Sequence, residues 1–213
     1  MDNVLMDIYK KLFDRYGDLS WWPAETPYEV MVGAVLTQNT VWDNVEKAMA
    51  NFGGNLSPEA VRDMDLDELK KIIYPAGFYN QKAVYLKGLT AWYEKYNYDA
   101  ETVKNEPFVK LRKELLDVKG VGPETADSIL LYAFNLPAFV IDAYTNRMCD
   151  RFNVKAGRGY SAVKSYFEDN IPVSVAIYNR FHAMIVVNAK EHCRKKAACS
   201  GCPLEGDCAK NGV

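Results

Sequence analysis

The stretch from Leu116 to Ala126 reads Leu-Asp-Val-Lys-Gly-Val-Gly-Pro-Glu-Thr-Ala and interrupts an otherwise helical pattern. Apolar residues at helical spacing precede and follow it, so the sequence predicts two helices joined by a tight glycine turn. Glycine tolerates positive φ and close approach of a ligand, and proline fits the first position of a helix. The backbone amides of Gly120, Val121 and Gly122 therefore suit one phosphate of a nucleic-acid backbone, with an ordinary turn as the alternative.

Helical spacing also dominates the rest of the chain, without a convincing alternating strand pattern. We therefore expect an all-α fold built from short helices in series. Capping residues predict helix starts at Thr26–Glu29, Ser57–Glu59, Asp65–Glu68 and Asn80. Later helices are predicted over three segments, 143–152, 161–170 and 172–189. The polar residues 96–106 separate two helical regions.

Composition excludes several classes of protein. The chain has 213 residues, 49% apolar and 25% charged, which is typical of a globular protein with one domain or two small ones. No apolar run is long enough to cross a membrane, and the first residues lack the basic leader of a secretory signal. We therefore expect a cytoplasmic protein, associated with the nucleoid in a prokaryote. The net charge of -2 argues only weakly against nucleic-acid binding, because a few local cations and backbone amides can suffice.

Four of the five cysteines lie close together, as Cys193, Cys199, Cys202 and Cys208. Four thiols at this spacing indicate a metal site in a reducing compartment. Structural zinc usually uses two pairs with short internal spacing, whereas one loop can wrap a cubane cluster, so the pattern favours a 4Fe-4S cluster. Arg194, Lys195 and Lys196 lie inside the first interval and form either a phosphate-binding patch or a plain charged surface.

Asp142 follows a non-helical segment, 135–138, and an apolar one, 139–141. Its ordinary interpretation is a cap for the helix predicted to begin at residue 143. A carboxylate kept ionised near helix amides has a second use, because it can stabilise a developing sugar cation and orient or deprotonate a water. The position of Asp142 alone leaves both interpretations open.

Taken together, the glycine turn, Asp142 within residues 140–144 and the four cysteines resemble the helix-hairpin-helix DNA glycosylases of the endonuclease III superfamily. The likeness covers nearly the whole chain, because residues 36–40 and 77–83 also look like family segments. It implies a monomeric protein whose partner is double-stranded DNA that contains a damaged base.

The resemblance also implies a two-domain helix-hairpin-helix glycosylase fold with a DNA-binding cleft between the domains and a C-terminal iron-sulfur cluster loop. A six-helix barrel domain would occupy residues 22–134, with the hairpin at about 109–134. Residues 1–21 and 135–213 would form the iron-sulfur cluster domain.

By position, Gln38 and Phe78 match residues that family members push into the duplex when a nucleotide is extruded. Chemistry at the sugar carbon of a stacked nucleotide requires such extrusion. Lys119 lies beside the glycine turn, and we assign it with the turn to DNA binding. Without the resemblance, Phe78 would be interpreted as a core aromatic and Gln38 as a surface amide.

One position departs from the bifunctional members of the family. They carry a lysine just before the Thr-Ala of the hairpin, and its amine attacks the sugar to form a Schiff base. Glu124 occupies that position here. A carboxylate cannot form an imine, so we expect water to be the nucleophile and lyase activity to be lost or weak. Lys119 is the alternative amine.

Several features resemble the 3-methyladenine DNA glycosylases within this superfamily, namely residues 21–23, 33–40, 77–82 and Glu124. In that branch, aromatic residues near the positions of Trp21, Trp22 and Trp42 line the base pocket, and we include Tyr144 beside the acid. Indole faces can hold an electron-poor, often cationic purine by stacking and cation–π attraction of about 0.5 to 2 kcal/mol each. Core packing is the alternative role for these tryptophans.

The resulting interpretation is a monofunctional glycosylase that removes alkylated purines, with Asp142 as the catalytic carboxylate and the cluster in a structural role. One alternative is an endonuclease III-like glycosylase for oxidised pyrimidines, uracil or mismatched thymine, with or without lyase activity at abasic sites. An alternative of another class is a non-catalytic iron-sulfur protein that binds DNA.

Overall fold

The computed structural model describes residues 3–19 and 21–213, and the regular structure in this part of the chain is entirely helical. The all-α expectation is thereby confirmed. The α-helices are α1 Val4–Tyr16, α2 Pro27–Leu36, α3 Trp42–Ala50, α4 Pro58–Asp63, α5 Leu66–Ile72, α6 Tyr79–Glu94, α7 Ala100–Lys104, α8 Phe108–Asp117, α9 Pro123–Ser128, α10 Ala143–Phe152, α11 Tyr160–Asn170 and α12 Val175–Glu191. A 3-10 helix spans Tyr74–Ala76 and a π-helical turn spans Ile129–Ala133.

These helices form two compact units. The first unit comprises Trp22–Leu136, in which α6 packs against α2, α4 and α5. The second unit comprises Met1–Trp21 and Pro137–Val213, in which α12 packs against α1 and α10. Each unit thus has its own framework of packed helices. In the described part of the chain, no helix has both the length and the apolar character needed to cross a membrane.

Side-chain caps fix three of the four helix starts that the sequence predicted, whereas the helix expected from Asn80 begins at Tyr79 without a side-chain cap. Thr26 directly precedes Pro27, which opens α2, and its hydroxyl accepts the amide of Glu29 at 3.2 Å. The hydroxyl of Ser57 accepts the amide of Ala60 at 3.1 Å in the same way. Such oxygens satisfy helix amides that have no partner within the helix, which explains why these helices begin where they do.

Two helices differ from the prediction because local caps decide their limits. The polar residues 96–106 contain the short helix α7, which Asp99 begins by accepting the amides of Glu101 and Thr102. Only Val103 of that helix is buried, so it carries no apolar pattern for sequence analysis to detect. The last helix begins at Val175 rather than at residue 172, because the hydroxyl of Ser174 caps it.

The predicted helical hairpin consists of α8 and α9 joined by a tight turn. The amide of Val121 donates to the carbonyl of Val118 at 3.0 Å, which closes a four-residue turn with Gly120 in its third position. Gly120 has a φ of 85°, a conformation that the third residue of a type II turn requires and that glycine adopts without strain. A Cβ at Gly120 would also lie 2.3 Å from ring atoms of Tyr85 on α6. The turn therefore depends on glycine for two independent reasons.

We expect Gly120→Ala to lower the free energy of unfolding by about 2 kcal/mol or more, because the added methyl group meets the Tyr85 ring and the backbone is strained. Gly122→Ala is the matched control, since a Cβ there meets no heavy atom within 4 Å and its φ is -87°. Urea denaturation monitored by circular dichroism measures both variants. Equal stabilities of the two variants would contradict this description of the turn.

Candidate functional site

Gln38 supports the glycine turn of the first unit. It lies two residues beyond the end of α2, and its Nε2 donates to the carbonyl of Gly120 and to the hydroxyl of Thr125, each at 2.9 Å. The side chain is half-buried and connects the end of α2 to the start of α9. Gln38 is therefore not the plain surface amide that its sequence context alone suggests.

One of the three backbone amides predicted to bind a phosphate is already used within the turn. The sequence predicted that Gly120, Val121 and Gly122 would all present free amides. The amide of Val121 instead closes the turn by donating to Val118, and the side chain of Val121 is buried. A phosphate would therefore have to bind the amides on either side of Val121, because a type II turn consumes the amide of its fourth residue.

Phe78 lies outside the core, and its backbone has an unusual conformation. Its side chain is 60% exposed, and its φ of 47° lies in the left-handed region that a residue with a Cβ seldom adopts. It directly precedes α6 and follows Gly77, which also has a positive φ. The core-aromatic interpretation is thus wrong, and a strained, exposed aromatic is a candidate for contact with a ligand.

Lys82 is a buried residue of the first unit that the motif analysis did not single out. Its side chain is 2% exposed, and Nζ donates to the carbonyls of Leu36 and Ala76, each at 2.8 Å. Burial lowers the pKa of Lys82 to about 8. Lys82 lies four residues before the buried Leu86 and therefore on the apolar face of α6. This spacing is the feature of the sequence that indicates its burial.

Trp22 and Trp42 line a recess of about 120 Å³ in the first unit. Their rings meet edge to face, with centroids 5.5 Å apart. Gly33 leaves room for the first indole, because a Cβ there would lie 3.3 Å from the Trp22 ring. The structure thus brings two of the four predicted base-pocket residues together.

Carboxylates complete the lining of this recess. Glu29 and Glu46 both line it, and Oε1 of Glu46 accepts the indole N–H of Trp42 at 2.9 Å. Oε2 of Glu29 accepts the amide of Glu25 at 2.7 Å, so both acids are held in place. In the sequence, Glu29 is distinguishable only as a residue of the predicted helix start and Glu46 only as an ordinary surface residue of a helix, so neither indicates a place in the recess. The recess combines aromatic faces with negative charge, which favours an electron-poor or cationic guest.

Asp142 lies in the second unit at the amino end of α10. Its Oδ1 accepts the amide of Thr145 at 2.7 Å, so the predicted capping role is present. Oδ2 lies 3.5 Å from Nε2 of His182, a buried residue on α12. The carboxylate itself is buried, with 9% of the residue exposed.

These contacts set the charge of Asp142. Burial by itself would raise its pKa, but the contact with His182 and the hydrogen bonds from Thr145 outweigh burial, so the pKa lies below the usual aspartate value. Asp142 is therefore ionised at neutral pH. Sequence analysis missed His182, which lies within the apolar pattern of α12 and resembles a core residue.

The other two predicted base-pocket residues, Trp21 and Tyr144, belong to the second unit. The ring of Trp21 meets the ring of His182 edge to face at 6.5 Å, and Nζ of Lys190 lies 5.7 Å from the Trp21 ring. The Tyr144 ring carries the guanidinium of Arg147 at 5.1 Å. Trp21 is thus grouped with the partner of Asp142, whereas Tyr144 stacks against a cation on its own helix.

The four clustered cysteines line one cavity of the second unit, together with Arg151 and Asn188. All four are free thiols. Burial, with a smaller contribution from the neighbouring Cys193 and Cys208, raises the pKa of Cys202. Within residues 3–19 and 21–213, no three His, Cys, Asp or Glu side chains converge closely enough to hold a single metal ion. Four thiols lining one cavity are nevertheless the donor type that thiolate-bound metals and iron-sulfur clusters use.

Arg151 holds the loop that carries the predicted basic patch. It is 7% exposed, and its guanidinium donates to the carbonyls of Arg194 at 2.7 Å and Lys195 at 3.1 Å. Nη1 also lies 3.1 Å from Sγ of Cys193. The side chains of Arg194, Lys195 and Lys196 are exposed, as is that of Lys119 in the hairpin turn. The loop backbone is thus fixed while its cations face solvent.

Known proteins resemble this chain in sequence and in fold. A sequence model of the HhH-GPD superfamily base excision DNA repair proteins matches residues 32–172. A Methanocaldococcus jannaschii protein, provisionally named a DNA repair glycosylase, is 49% identical over 210 residues, which is 96% of each chain. An H. pylori 3-methyladenine DNA glycosylase bound to 1,N6-ethenoadenine has a TM-score of 0.76 and 28% identity, and the match covers 90% of this chain and 98% of that chain.

An endonuclease III–DNA complex has the same fold, with a TM-score of 0.82 and 23% identity over 99% of this chain and 96% of that chain. The family model alone spans more than half of the present chain, including the hairpin and Asp142. The chain therefore belongs to the HhH-GPD superfamily of base excision DNA repair proteins and is a DNA glycosylase.

Proposed function

We propose that the protein is a monofunctional glycosylase that acts on a base extruded from duplex DNA, with Asp142 assisting hydrolysis of the N-glycosidic bond. The observation that carries the proposal is the buried carboxylate of Asp142, whose pKa is held below its usual value by His182 and Thr145. A fixed negative charge that needs no reorganisation stabilises a developing positive charge more strongly than water does.

The chemistry assigned to this chain is a balanced hydrolysis. The bond between the base nitrogen and the sugar breaks, its electron pair leaves with the base, and positive charge develops on the deoxyribose. The carboxylate of Asp142 stabilises that charge. Water then adds to the sugar carbon, and its proton passes to the carboxylate or to solvent. A cationic base leaves as a neutral molecule and therefore requires no acid catalyst.

Water rather than an amine is the proposed nucleophile. Glu124, which replaces the lysine of bifunctional family members, is exposed in the first turn of α9, where a carboxylate is stabilised by the helix dipole. An acid at this position cannot form a Schiff base. The product would be an abasic site in an unbroken strand.

The proposed substrate class is an alkylated purine of the 3-methyladenine type, held in the recess of Trp22 and Trp42. The support is physical, because Glu29 and Glu46 add negative charge to a recess already lined by indoles. The H. pylori 3-methyladenine DNA glycosylase, at 28% identity over most of both chains, adds support from a relative.

The second candidate is a glycosylase for uracil, mismatched thymine or an oxidised pyrimidine. It is favoured by a Pyrobaculum aerophilum thymine/uracil-DNA glycosylase, which is 27% identical over 209 residues. A neutral pyrimidine could also stack on the two indoles, although it would gain nothing from the acids of the recess.

For DNA binding we propose three surfaces: the amides of Gly120 and Gly122, the exposed Phe78 with Gln38, and the basic residues 194–196. Backbone amides at a helix start and exposed cations both suit phosphate. An exposed aromatic suits insertion into a stack from which a nucleotide has been extruded.

We further propose that Cys193, Cys199, Cys202 and Cys208 hold a 4Fe-4S cluster, and that the first and second units are the barrel and cluster domains of the family. The support is the shared cavity of the four free thiols and the guanidinium of Arg151 beside one sulfur. A cluster there would supply a structural core for the basic loop.

Replacing Asp142 tests the catalytic assignment. Asp142→Asn retains a helix cap but loses the charge, so we expect base release to slow by at least about a hundredfold. Affinity for undamaged duplex should not change. Asp150→Asn, an exposed acid of the same helix, is the control. Single-turnover release of free base, followed by mass spectrometry, measures the effect, and undiminished release by Asp142→Asn would refute the role.

A panel of duplexes tests the substrate class and the nucleophile. We expect 3-methyladenine and 7-methylguanine to be released about tenfold faster than uracil, mismatched thymine or thymine glycol. Two cation–π contacts of about 0.7 kcal/mol each correspond to this tenfold ratio of rates. The strand should stay intact, and borohydride should trap no protein–DNA adduct. Faster release of a pyrimidine would favour the second candidate, and strand cleavage would contradict a monofunctional enzyme.

Cysteine substitution tests the cluster. Cys202→Ser should remove iron and visible absorbance from the purified protein, because the cluster would lose one ligand. Cys149→Ser is the control, since Cys149 is buried elsewhere in α10. Iron, sulfide and zinc analyses read out the result. Stoichiometric zinc without iron in the unsubstituted protein would overturn the proposal.

A further inference from the structure

Lys82 connects two helix ends of the first unit through one buried amine. Leu36 is the last residue of α2 and Ala76 is the last residue of the 3-10 helix, and Nζ of Lys82 bonds to both carbonyls at 2.8 Å. The last carbonyls of a helix lack partners within the helix, and a lysine there also meets the negative end of the helix dipole. One side chain therefore caps two segments that are far apart in the sequence.

Both capped ends lead directly to side chains assigned to the duplex. Gln38 comes two residues after Leu36, and Phe78 comes two residues after Ala76. Between Ala76 and α6 the backbone takes two consecutive positive φ angles, 68° at Gly77 and 47° at Phe78. Such a strained conformation persists only where its surroundings fix it, and the Lys82 bond fixes the residue immediately before it.

The burial of Lys82 makes this connection rigid. At 2% exposure the amine has no access to bulk water, and in the described part of the chain its recorded polar contacts are the two carbonyls. A buried amine that loses a hydrogen bond is left with an uncompensated desolvation cost. Neither carbonyl can therefore move away from Nζ without penalty, so Lys82 holds the ends of the two segments together.

We propose that Lys82 is a positioning residue for DNA distortion, which fixes the backbone segments that carry Gln38 and Phe78 relative to each other so that both segments meet the duplex together. The inference rests on the proposed function, in which these two side chains contact the duplex where a nucleotide is extruded. Lys82 itself touches neither substrate nor the reacting atoms.

Two lysines of α6 provide a matched pair of variants. Lys82→Met keeps the length and apolar stem of the side chain but removes the donors. Lys87→Met is the control, because Nζ of Lys87 also donates to two carbonyls at a helix end, those of Arg62 in the last turn of α4 and of Met64, its C-cap. Both variants lose two capping bonds, but only the first loses a connection between Gln38 and Phe78.

The assay uses a duplex that carries a tetrahydrofuran abasic-site analogue with 2-aminopurine beside it, whose fluorescence rises when stacking is lost. We expect Lys82→Met to lose most of this rise and to release base from a damaged duplex about tenfold to a hundredfold more slowly. Its affinity for undamaged duplex should stay within about twofold of the unsubstituted protein. Lys87→Met should match the unsubstituted protein in every measurement. A folded Lys82→Met protein with the full fluorescence rise would overturn the proposal.

If Lys82→Met does not fold, Lys82→Gln is measured in the same assay. The shorter glutamine side chain can still donate to one of the two carbonyls but cannot reach both. A reduced fluorescence rise with unchanged affinity for undamaged duplex supports the proposal, and an unchanged rise overturns it. The analogue carries no base to be released, so the fluorescence is independent of catalysis. The proposed function and the role of Lys82 can fail separately. If the protein without substitutions distorts this duplex but releases no base from a damaged one, the proposed function is refuted and the role of Lys82 stands.

Discussion

A buried carboxylate can remain charged only if neighbouring groups replace the water that it has lost. In the second unit, the amide of Thr145 and the imidazole of His182 do this for Asp142. The requirement explains the local architecture, because α10 begins where its first amides face Asp142 and α12 carries His182 to the other carboxylate oxygen. The helix cap and the proposed catalytic group are thus the same residue, and the cap keeps the carboxylate ionised.

Buried cations that bond to main-chain carbonyls recur in both units. Lys82 holds the ends of two helices in the first unit, and Arg151 holds the carbonyls of Arg194 and Lys195 in the second. In the first unit the residues that follow the two helix ends are candidates for DNA contact, and in the second unit the side chains of the loop itself are. A cation of this kind fixes the backbone without occupying the surface, so exposed residues such as Phe78 or Lys195 stay available to a ligand.

The sequence predicts what depends on neighbours along the chain. The hairpin followed from Gly120, Gly122 and proline at the start of α9, and the caps of α2 and α4 followed from hydroxyl residues placed before proline. These features depend on φ preferences and short-range hydrogen bonds, which residue type determines.

The sequence does not predict partners that tertiary packing supplies. The position of His182 near Asp142 and the bonds of Lys82 to Leu36 connect residues 40 or more positions apart, so no local pattern reveals them. Trp21 and Trp22 are adjacent in the chain, yet the boundary between the two units falls between them. Trp22 therefore packs against Trp42 while Trp21 packs against His182, which adjacency in the sequence does not indicate.

The charge of Asp142 is measured directly by a carbon NMR titration of its carboxyl group in protein labelled at aspartate, with the resonance assigned from its absence in Asp142→Asn. We expect the chemical shift of the ionised carboxylate to stay constant from about pH 8 down to about pH 5, because the pKa of Asp142 lies below the ordinary aspartate value of about 3.9. A resonance that titrates between these pH values, or that is protonated at neutral pH, would show that burial dominates. It would contradict the role of Asp142 as a fixed negative charge.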